Sequence, residues 1–159
     1  MAHNLQTSFY FSVSISGMAS SDAAFQEVSG LSKELATEDV VCGGENRFKY
    51  RLPTIATFQN LVLKRGVTTA ESGLISWVKD TLDDGLVNPI QPKGIKVQLL
   101  NENGDISMAW NFVAAYPVKW FASDLKSQDS EVFIETLEFA YQYFDIDDSR
   151  ESQVDIFAE

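Results

Sequence analysis

The chain has 159 residues, of which 45% are hydrophobic, so it can form one domain with its own core and is too apolar for wholesale disorder. Its net charge of −11 argues against binding to phosphate backbones or anionic membranes, because both partners need clustered Lys and Arg. The acidity fits either a passage that repels polyanions or solubility alone.

The N-terminal residues contain no basic region followed by an apolar run, and no apolar stretch approaches the ~20 residues needed to cross a bilayer. We therefore expect synthesis in the cytoplasm without a signal peptide, and no direct membrane anchoring. Cys42 is the single cysteine, which excludes an intrachain disulfide.

The first half of the chain contains several predicted strands. Residues 8–16 alternate between apolar and polar side chains, which predicts a strand. A second strand begins at Phe25 and is interrupted at Ser29-Gly30, where the glycine predicts a bulge or a close backbone approach. Residues 31–41 form a third extended segment.

Residues 42–57 are predicted to be an irregular loop, because Gly43, Gly44 and Pro53 punctuate the segment. Such a long loop is uncommon in a compact domain unless it has a function. Its apolar side chains are Phe48, Tyr50, Leu52 and Ile55, and its aromatic rings would lower solubility if they were left uncovered, which makes the loop the first candidate for a subunit contact. The alternative is a loop folded over its own core.

A strand over residues 61–67 precedes the one predicted helix, at about 69–83. Thr68 or Thr69 is the predicted cap, and Thr68 has capping-box spacing with Glu71. Apolar residues recur at helical spacing around Trp77, which predicts a stripe packed on the sheet. Gly85 is placed to end the helix.

The second half of the chain contains a predicted hairpin whose turn, Asn101–Asp105, includes an Asn-Gly pair. Tyr116–Phe121 is a further extended piece, which Pro117 assigns to an edge or a bend. Residues 131–144 are interpreted as the last long strand, with a helix as the alternative, and residues 145–159 as an acidic C-terminal extension.

No constellation in the sequence indicates catalysis, a cofactor or a metal. His3 is the only histidine, which makes a catalytic triad or a His-rich metal site implausible, and Cys42 has no activating neighbour in sequence. The nearby carboxylates Glu135 and Glu138 are expected from composition in a chain this acidic. Lys64-Arg65 is interpreted as a source of ion pairs rather than as a nucleic-acid site.

Several segments together resemble the phage tail-tube family, the inner tubes of contractile tails and contractile injection systems. They occur in the family's order: FQEVSGLSKE at 25–34, LPTIATFQNLVLKRGV at 52–67, LISWVKDTL at 74–82, VQLLNENGDISMAWNF at 97–112, AAYPVKW at 114–120 and EVFIETLEFAYQYF at 131–144. The most specific residues in these segments are Ser29, Gly30, Leu31, Lys64, Arg65, Gly66, Trp77, Trp110, Pro117 and Trp120.

The resemblance implies a mainly β fold, a barrel or sandwich of about seven or eight strands with one flanking helix, over residues 1–144. It implies rings of six copies, with strands of neighbours joined into an inner barrel, and rings stacked into a hollow tube. A sheath protein would drive this tube through a target envelope, and baseplate or initiator proteins, terminator proteins and effector cargo in the lumen would be further partners.

The loop 42–57 corresponds to the family's contact between rings, with Gly43, Gly44, Phe48, Tyr50, Leu52 and Pro53 as candidates. The resemblance indicates a structural protein that is not an enzyme. Two other functions remain open from the residues alone: a monomeric β-barrel carrier of an apolar ligand, and a hydrolase based on acidic residues.

Overall fold

The computed structural model describes residues 10–19, 25–66, 72–124 and 133–147. In this part of the chain, one helix accompanies nine strands, which confirms the predicted fold class with slightly more strands than expected. The elements are β1 (Tyr10–Ile15), β2 (Glu27–Ser29), β3 (Lys33–Val40), β4 (Tyr50–Phe58), β5 (Leu61–Gly66), α1 (Gly73–Leu82), β6 (Lys93–Leu100), β7 (Ile106–Ala122), β8 (Ile134–Ala140) and β9 (Tyr143–Asp147).

The prediction that residues 42–57 form one irregular loop is wrong. Its second half belongs to β4, which pairs antiparallel with β3 from Val40↔Tyr50 to Lys33↔Phe58. Pro53 is tolerated inside this strand because β4 has a pairing partner on one side only, among the described residues. The irregular connection is therefore confined to residues 41–49.

Three other boundaries differ from the sequence prediction. Residues 106–122 form one continuous strand, β7, where two extended pieces were predicted. The segment 131–144 contains two strands separated at Tyr141-Gln142, so the helical alternative is wrong. Strand β9 continues to Asp147, so the first three residues of the predicted acidic extension belong to the sheet.

The helix is capped by a residue that the sequence pattern did not single out. The Ser72 side chain accepts a hydrogen bond from the Ile75 N–H, which satisfies one of the free donors of the first turn. Thr68, Thr69 and Glu71, the predicted capping residues, lie outside the described part of the chain. Asp83 is the C-cap, and Gly85 adopts a positive φ of 54° in the turn that follows.

Seven strands form one continuous antiparallel sheet that β7 divides into two halves. The first half contains β1, β6, the N-terminal part of β7 and β9, with pairings such as Phe11↔Leu99 and Phe112↔Phe144. The second half contains the C-terminal part of β7 with β8, β5 and β2. Strands β8 and β9 follow one another along the same side of β7, so the long strand joins both halves.

Both halves and the helix bury their apolar faces in a single core. Alternation puts Val13 and Ile15 of β1 and Leu61 and Leu63 of β5 inside, as period-two patterns require. The aromatic Trp77 of α1 stacks on Phe139 of β8 at 5.7 Å between ring centroids. The fully buried large side chains include Phe112, Phe139, Phe144, Leu61, Leu63, Leu74, Ile95 and Leu137.

Gly30 lies where β2 gives way to β3, and the predicted close backbone approach is confirmed there. Its φ is +84°, and a Cβ at this position would lie 2.0 Å from the Asn60 carbonyl oxygen. Only glycine combines this φ with the absence of a side chain, so the chain can turn out of the sheet at this point.

Candidate assembly surfaces

Strands β3 and β4 form a two-stranded sheet that pairs with no other strand in the described part of the chain. We call residues 33–58 the arm. Every residue of β3 is exposed, and so is every residue of β4 except the half-buried Phe58. Isolated two-stranded hairpins are only marginally stable in water, so covering an arm of this kind with another surface would stabilise it.

Apolar side chains are unusually exposed along the arm. Ile55 is 83% exposed and Leu35 is 56% exposed, and the other large apolar side chains in this condition are Val40, Val41, Phe48, Tyr50 and Leu52. Large apolar side chains exposed in such number on one segment are typical of an interaction site. The arm is therefore the strongest candidate contact surface among the described residues.

The predicted ring-stacking residues all lie on the arm. Gly43 and Gly44 belong to the connection between β3 and β4, with Gly44 at a positive φ of +98°. Phe48 packs edge-on against Tyr50, with ring centroids 5.2 Å apart, and Leu52 follows in β4. Pro53 pairs with Thr37 further along the ladder. Their role in stacking remains a prediction.

The arm also differs from the rest of the chain in charge. It contains four basic and four acidic side chains, so the remaining residues carry the entire net charge of −11. Arg47 donates to Glu45 at 2.9 Å, and this hydrogen bond lowers the pKa of Glu45 and raises the pKa of Arg47. A neutral arm can approach an acidic surface without the repulsion that two acidic surfaces experience.

Aromatic contacts attach the base of the arm to the core. The Lys33 ammonium lies 4.9 Å from the centre of the Phe144 ring, and the Phe58 and Phe144 ring centroids are 5.5 Å apart. The Tyr141 hydroxyl donates to the Gln59 carbonyl at 2.6 Å, and burial raises the pKa of Tyr141. The arm is thus exposed along its length and anchored where it leaves the sheet.

Open sheet edges are the second candidate surface. Strands β1 and β9 border the first half of the sheet, and each has a pairing partner on one side only within the described residues. Strand β2 and the C-terminal part of β7 border the second half in the same way. Open edges carry unpaired N–H and C=O groups, which pair readily with strands of another chain.

Beneath the edge of β7 lies a buried polar network that unites several of the family-motif residues. Arg65 is 1% exposed, and its Nε donates to Glu135 Oε2 at 2.8 Å. The other carboxylate oxygen of Glu135 accepts from the Trp120 indole N–H, and an Arg65 terminal nitrogen lies 3.4 Å from Ser72 Oγ. One ion pair therefore connects β5, β8, β7 and the helix cap.

The interpretation of Lys64-Arg65 as a source of ion pairs is confirmed. Lys64 lies 3.5 Å from Glu27, and Arg65 bonds to Glu135. The two carboxylates have different partners: Glu135 accepts from Arg65, whereas Glu138 accepts from the Asn60 side-chain amide at 3.0 Å. The sequence analysis did not predict that Glu135 and Ser72 contact Arg65. The available signal was the alternation in β5, which places Arg65 on the same buried face as Leu61 and Leu63, where a charged side chain needs a partner.

The remaining motif residues are dispersed through the fold. Ser29 pairs with Val62, Gly30 marks the turn out of the sheet, and Leu31 is exposed beside it. Pro117 lies beyond the last residue of β7 that pairs with β6 and next to a register shift in the β7–β8 pairing, which fits the predicted edge or bend. The others have structural positions: Gly66 ends β5, Trp77 is in the core, Trp110 packs against the core, and Trp120 lies at the open edge.

Within the described ranges, no group of three or more His, Cys, Asp or Glu side chains is arranged to hold a metal ion. Cys42 is exposed in the connection at the end of the arm.

No helix among the described residues has both the length and the apolar character needed to cross a membrane.

Comparison with solved structures shows close similarity to parts of contractile particles. A chain in the cryo-EM structure of the anti-feeding prophage baseplate, 6-fold symmetrised, is 30% identical, covers 88% of this chain and 92% of its own, and gives a TM-score of 0.74. A chain from the sheath–tube complex of an extracellular contractile injection system, PVC, in its extended state, is 21% identical, with 87% and 88% coverage and a TM-score of 0.72.

A third similar chain comes from the tube-terminating cap of the anti-feeding prophage. It is 20% identical, covers 87% of this chain and 88% of its own, and gives a TM-score of 0.74. No curated protein sequence matched the chain. The family described as the T4-like virus tail tube protein gp19 matches residues 7–145. Because this match spans most of the sequence, the chain belongs to the gp19 family of tail tube proteins.

Proposed function

We propose that the protein is the structural subunit of the inner tube of a contractile injection system or contractile phage tail. Six copies form a ring, rings stack into a hollow tube, and contraction of a surrounding sheath drives the tube through a target envelope. Family membership and similarity to a baseplate chain described as 6-fold symmetrised support this assignment.

The arm is the single observation that carries the proposal. A solitary two-stranded sheet with Ile55 and Leu35 mostly in water is unfavourable for a monomer. Burying apolar surface contributes about 25 cal/mol per Å² before entropy losses, so docking the arm on another copy stabilises both the arm and the assembly. This is why we assign ring-to-ring contact to the arm, with Phe48, Tyr50 and Leu52 as its apolar residues.

Ring closure uses open sheet edges. A closed ring requires two unlike surfaces of the same subunit, because each copy presents one to its left neighbour and the other to its right. The two sheet halves supply such pairs of edges: β1 with β9, and β2 with the C-terminal part of β7. In either pair the two strands run in opposite directions within the sheet, so joining them continues the antiparallel pattern.

The partners follow from this role. We propose contacts with a sheath protein, with baseplate or tube-initiator proteins at one end and with a terminator at the other, and effector cargo in the lumen. The similar chains occur in structures of a baseplate, a sheath–tube complex and a tube-terminating cap, which supports these partners. The function is structural rather than catalytic, with no sequence-specific nucleic acid and no direct membrane anchor.

A monomeric carrier of an apolar ligand is less well supported. Such a carrier needs an apolar cavity between its strands. In the described part of the chain the space between the sheet halves is occupied by Phe112, Phe139 and Phe144, whose side chains are fully buried. These three aromatic side chains therefore pack in the core, where a carrier would need space for its ligand.

The test removes the arm and leaves its base. Leu35 and Ala56 are direct partners across the ladder, so residues 36–55 can be replaced by a two-residue Asn-Gly turn that joins them. We expect the wild-type protein to form hollow rings and tubes in electron micrographs. The shortened variant should melt cooperatively as a folded subunit and form no long tubes.

Two outcomes would contradict the proposal. One is a wild-type protein that remains a single chain at high concentration by light scattering coupled to size-exclusion chromatography. The other is a shortened variant that stacks into long tubes, which would remove the stacking role from the arm.

A further inference from the structure

The second half of the sheet has one face toward the core and one face away from it. In β5, for example, alternation buries Leu63 and turns Lys64 to the other side, and the register extends this division across all four strands. We call the side away from the core the outward face. Its members include Glu27, Ser29, Val62, Lys64, Glu138 and Lys119.

Charges on the outward face occur in pairs of opposite sign. Lys64 Nζ lies 3.5 Å from Glu27 Oε1 on the neighbouring strand. Lys119 and Glu138 are direct partners in the β7–β8 register, and side chains directly opposite one another on one face are close enough to interact. The Lys119 ammonium also lies 5.1 Å from the centre of the Phe121 ring. A chain with a net charge of −11 therefore carries its excess of acidic groups on other surfaces.

The corresponding face of the first half is acidic, with Lys96 against Asp145 and Asp147. This half also carries both chain ends, because residues 1–9 lead into β1 and residues 148–159 follow β9. Strands β1 and β9 are its two borders, so both chain ends would leave at every junction if this half closed the ring. Like charges of neighbouring copies lie farther apart on the outside of a tube than around its lumen, which favours the outside for this half.

The arm emerges from the second half. Strand β2 ends at Ser29 and leads through the turn at Gly30 into β3, and β4 leads through Asn60 into β5. Because the proposed function assigns the contact between rings to the arm, the second half is the part of each ring that reaches toward the next. A tube wall must continue from ring to ring, which favours the second half as the wall of the lumen.

We propose that the outward face of the second half lines the lumen, and that its balanced charges allow polypeptide cargo of either net charge to pass. The ring then closes through β2 and the C-terminal part of β7. The inference rests on the proposed tube function and adds the surface that cargo meets. A wall whose charges neutralise one another attracts and repels a charged solute less than an acidic wall does.

The first test locates the outward face in assembled tubes. Lys64→Cys and Lys96→Cys are a matched pair, because each lysine is half-buried, faces away from the core and lies in the second strand from a sheet border. Both variants also carry Cys42→Ser, so that each subunit has a single thiol. Finished tubes are treated with a small maleimide dye and with maleimide-coated gold particles wider than the lumen.

We expect the dye to label tubes of both variants. In electron micrographs, gold should bind Lys64→Cys tubes only at their ends and Lys96→Cys tubes along their sides. Gold along the sides of Lys64→Cys tubes, or no dye on them, overturns the inference. Ser29→Cys and Ser14→Cys, which lie on the same two faces, repeat the comparison without a change of charge if a lysine variant does not assemble.

The second test measures the electrostatic potential in the lumen. Tubes of Ser29→Cys with Cys42→Ser are treated with a cationic and an anionic methanethiosulfonate, and the ratio of the two rates is compared with the ratio for mercaptoethanol, a neutral thiol. A balanced wall should change this ratio by less than about threefold, because opposite charges cancel. An increase of about tenfold or more in favour of the cationic reagent would show an acidic lumen and overturn the claim of balanced charge.

The outcomes separate this inference from the proposed function. A wild-type protein that never assembles contradicts the tube function itself. Normal tubes with gold along the sides of Lys64→Cys, or with an acidic lumen, overturn the inference and leave the tube function standing.

Discussion

The arm and the buried core each contain an Arg–carboxylate ion pair, which is exposed to water on the arm and shielded from water in the core. In the core, Arg65 and Glu135 are 2.8 Å apart with side chains 1% and 3% exposed. On the arm, Arg51 and Asp39 are 3.8 Å apart with side chains 73% and 58% exposed. Glycines at positive φ occur in both regions, with Gly30 against the Asn60 backbone and Gly44 in open space.

These differences indicate that the core is stable within a single subunit, whereas the arm gains most of its stability when another surface covers it. The core buries its apolar groups and satisfies its polar ones, so each contact contributes to folding of the subunit. The arm leaves its apolar groups in water, so its contacts contribute little until another surface covers them. Substitutions made at matching positions in the two regions can test this division.

The glycine pair gives the largest contrast. Gly30→Ala introduces a Cβ that collides with the Asn60 backbone at an already unfavourable φ, so we expect a loss of at least about 4 kcal/mol in the free energy of unfolding, or failure to fold. Gly44→Ala meets no atom within 4 Å and should cost about 1 kcal/mol through φ alone. Urea denaturation of dilute subunits measures both, and similar losses would break the comparison.

The arginine pair comes next. Arg65→Met leaves the Glu135 carboxylate buried without its cation, and breaking a buried pair in this way costs about 3–5 kcal/mol. Arg51→Met removes an exposed, long ion pair and should change the free energy of unfolding by less than about 1 kcal/mol. A loss of more than about 2 kcal/mol for Arg51→Met would show that the arm contributes to subunit folding after all.

The leucine pair separates folding from assembly. Leu63→Ala opens a cavity in the core and should cost about 2–5 kcal/mol of subunit stability, whereas Leu52→Ala on the arm should cost less than about 0.5 kcal/mol. Only Leu52→Ala is expected to leave folded subunits that stack poorly, as seen by electron microscopy at a temperature well below melting. Long tubes from Leu52→Ala in wild-type yield would contradict the assigned role of the arm.

The tyrosine pair gives the smallest effect and depends on pH. Tyr141→Phe loses the hydrogen bond to Gln59, at about 1 kcal/mol, while Tyr50→Phe on the arm serves as a control with no expected loss. Burial raises the pKa of Tyr141, so the folded state favours the neutral phenol. The neutral phenol therefore contributes to the free energy of unfolding in full below about pH 10, and this contribution is lost as the pH rises through the pKa of the folded state.

Thermal melting of both proteins between pH 8 and pH 11 measures the tyrosine effect. The difference between the wild-type protein and Tyr141→Phe should narrow above pH 10. If the difference in melting temperature between the two proteins stays constant up to pH 11, Tyr141 does not titrate as a buried group and this prediction is wrong.

Much of the fold was predictable because its signals are local. The alternation in β1 and the Asn-Gly turn between β6 and β7 predicted those elements correctly, and the stripe around Trp77 predicted a helix that packs on the core. Strand β4 was missed because glycines and Pro53 are turn signals locally, while its pairing with β3 is a contact between distant residues. The single long β7 was missed for the same reason. Pro117 is a local signal for the end of a strand, whereas the pairing of β8 and β9 with successive parts of β7 keeps the strand continuous.

Counts of residue types, the hydrophobic period and short motifs can be obtained without any tertiary contact. They were enough to predict a mainly β chain with one helix, no intrachain disulfide, a net negative charge and membership of a tube-forming family. Two features follow from contacts between distant residues and were not predictable: β3 and β4 form a separate arm, and one hydrogen-bonded network contains Arg65, Glu135, Ser72 and Trp120. These residues are far apart in sequence, and the pairing of β5, β8 and β7 brings them together.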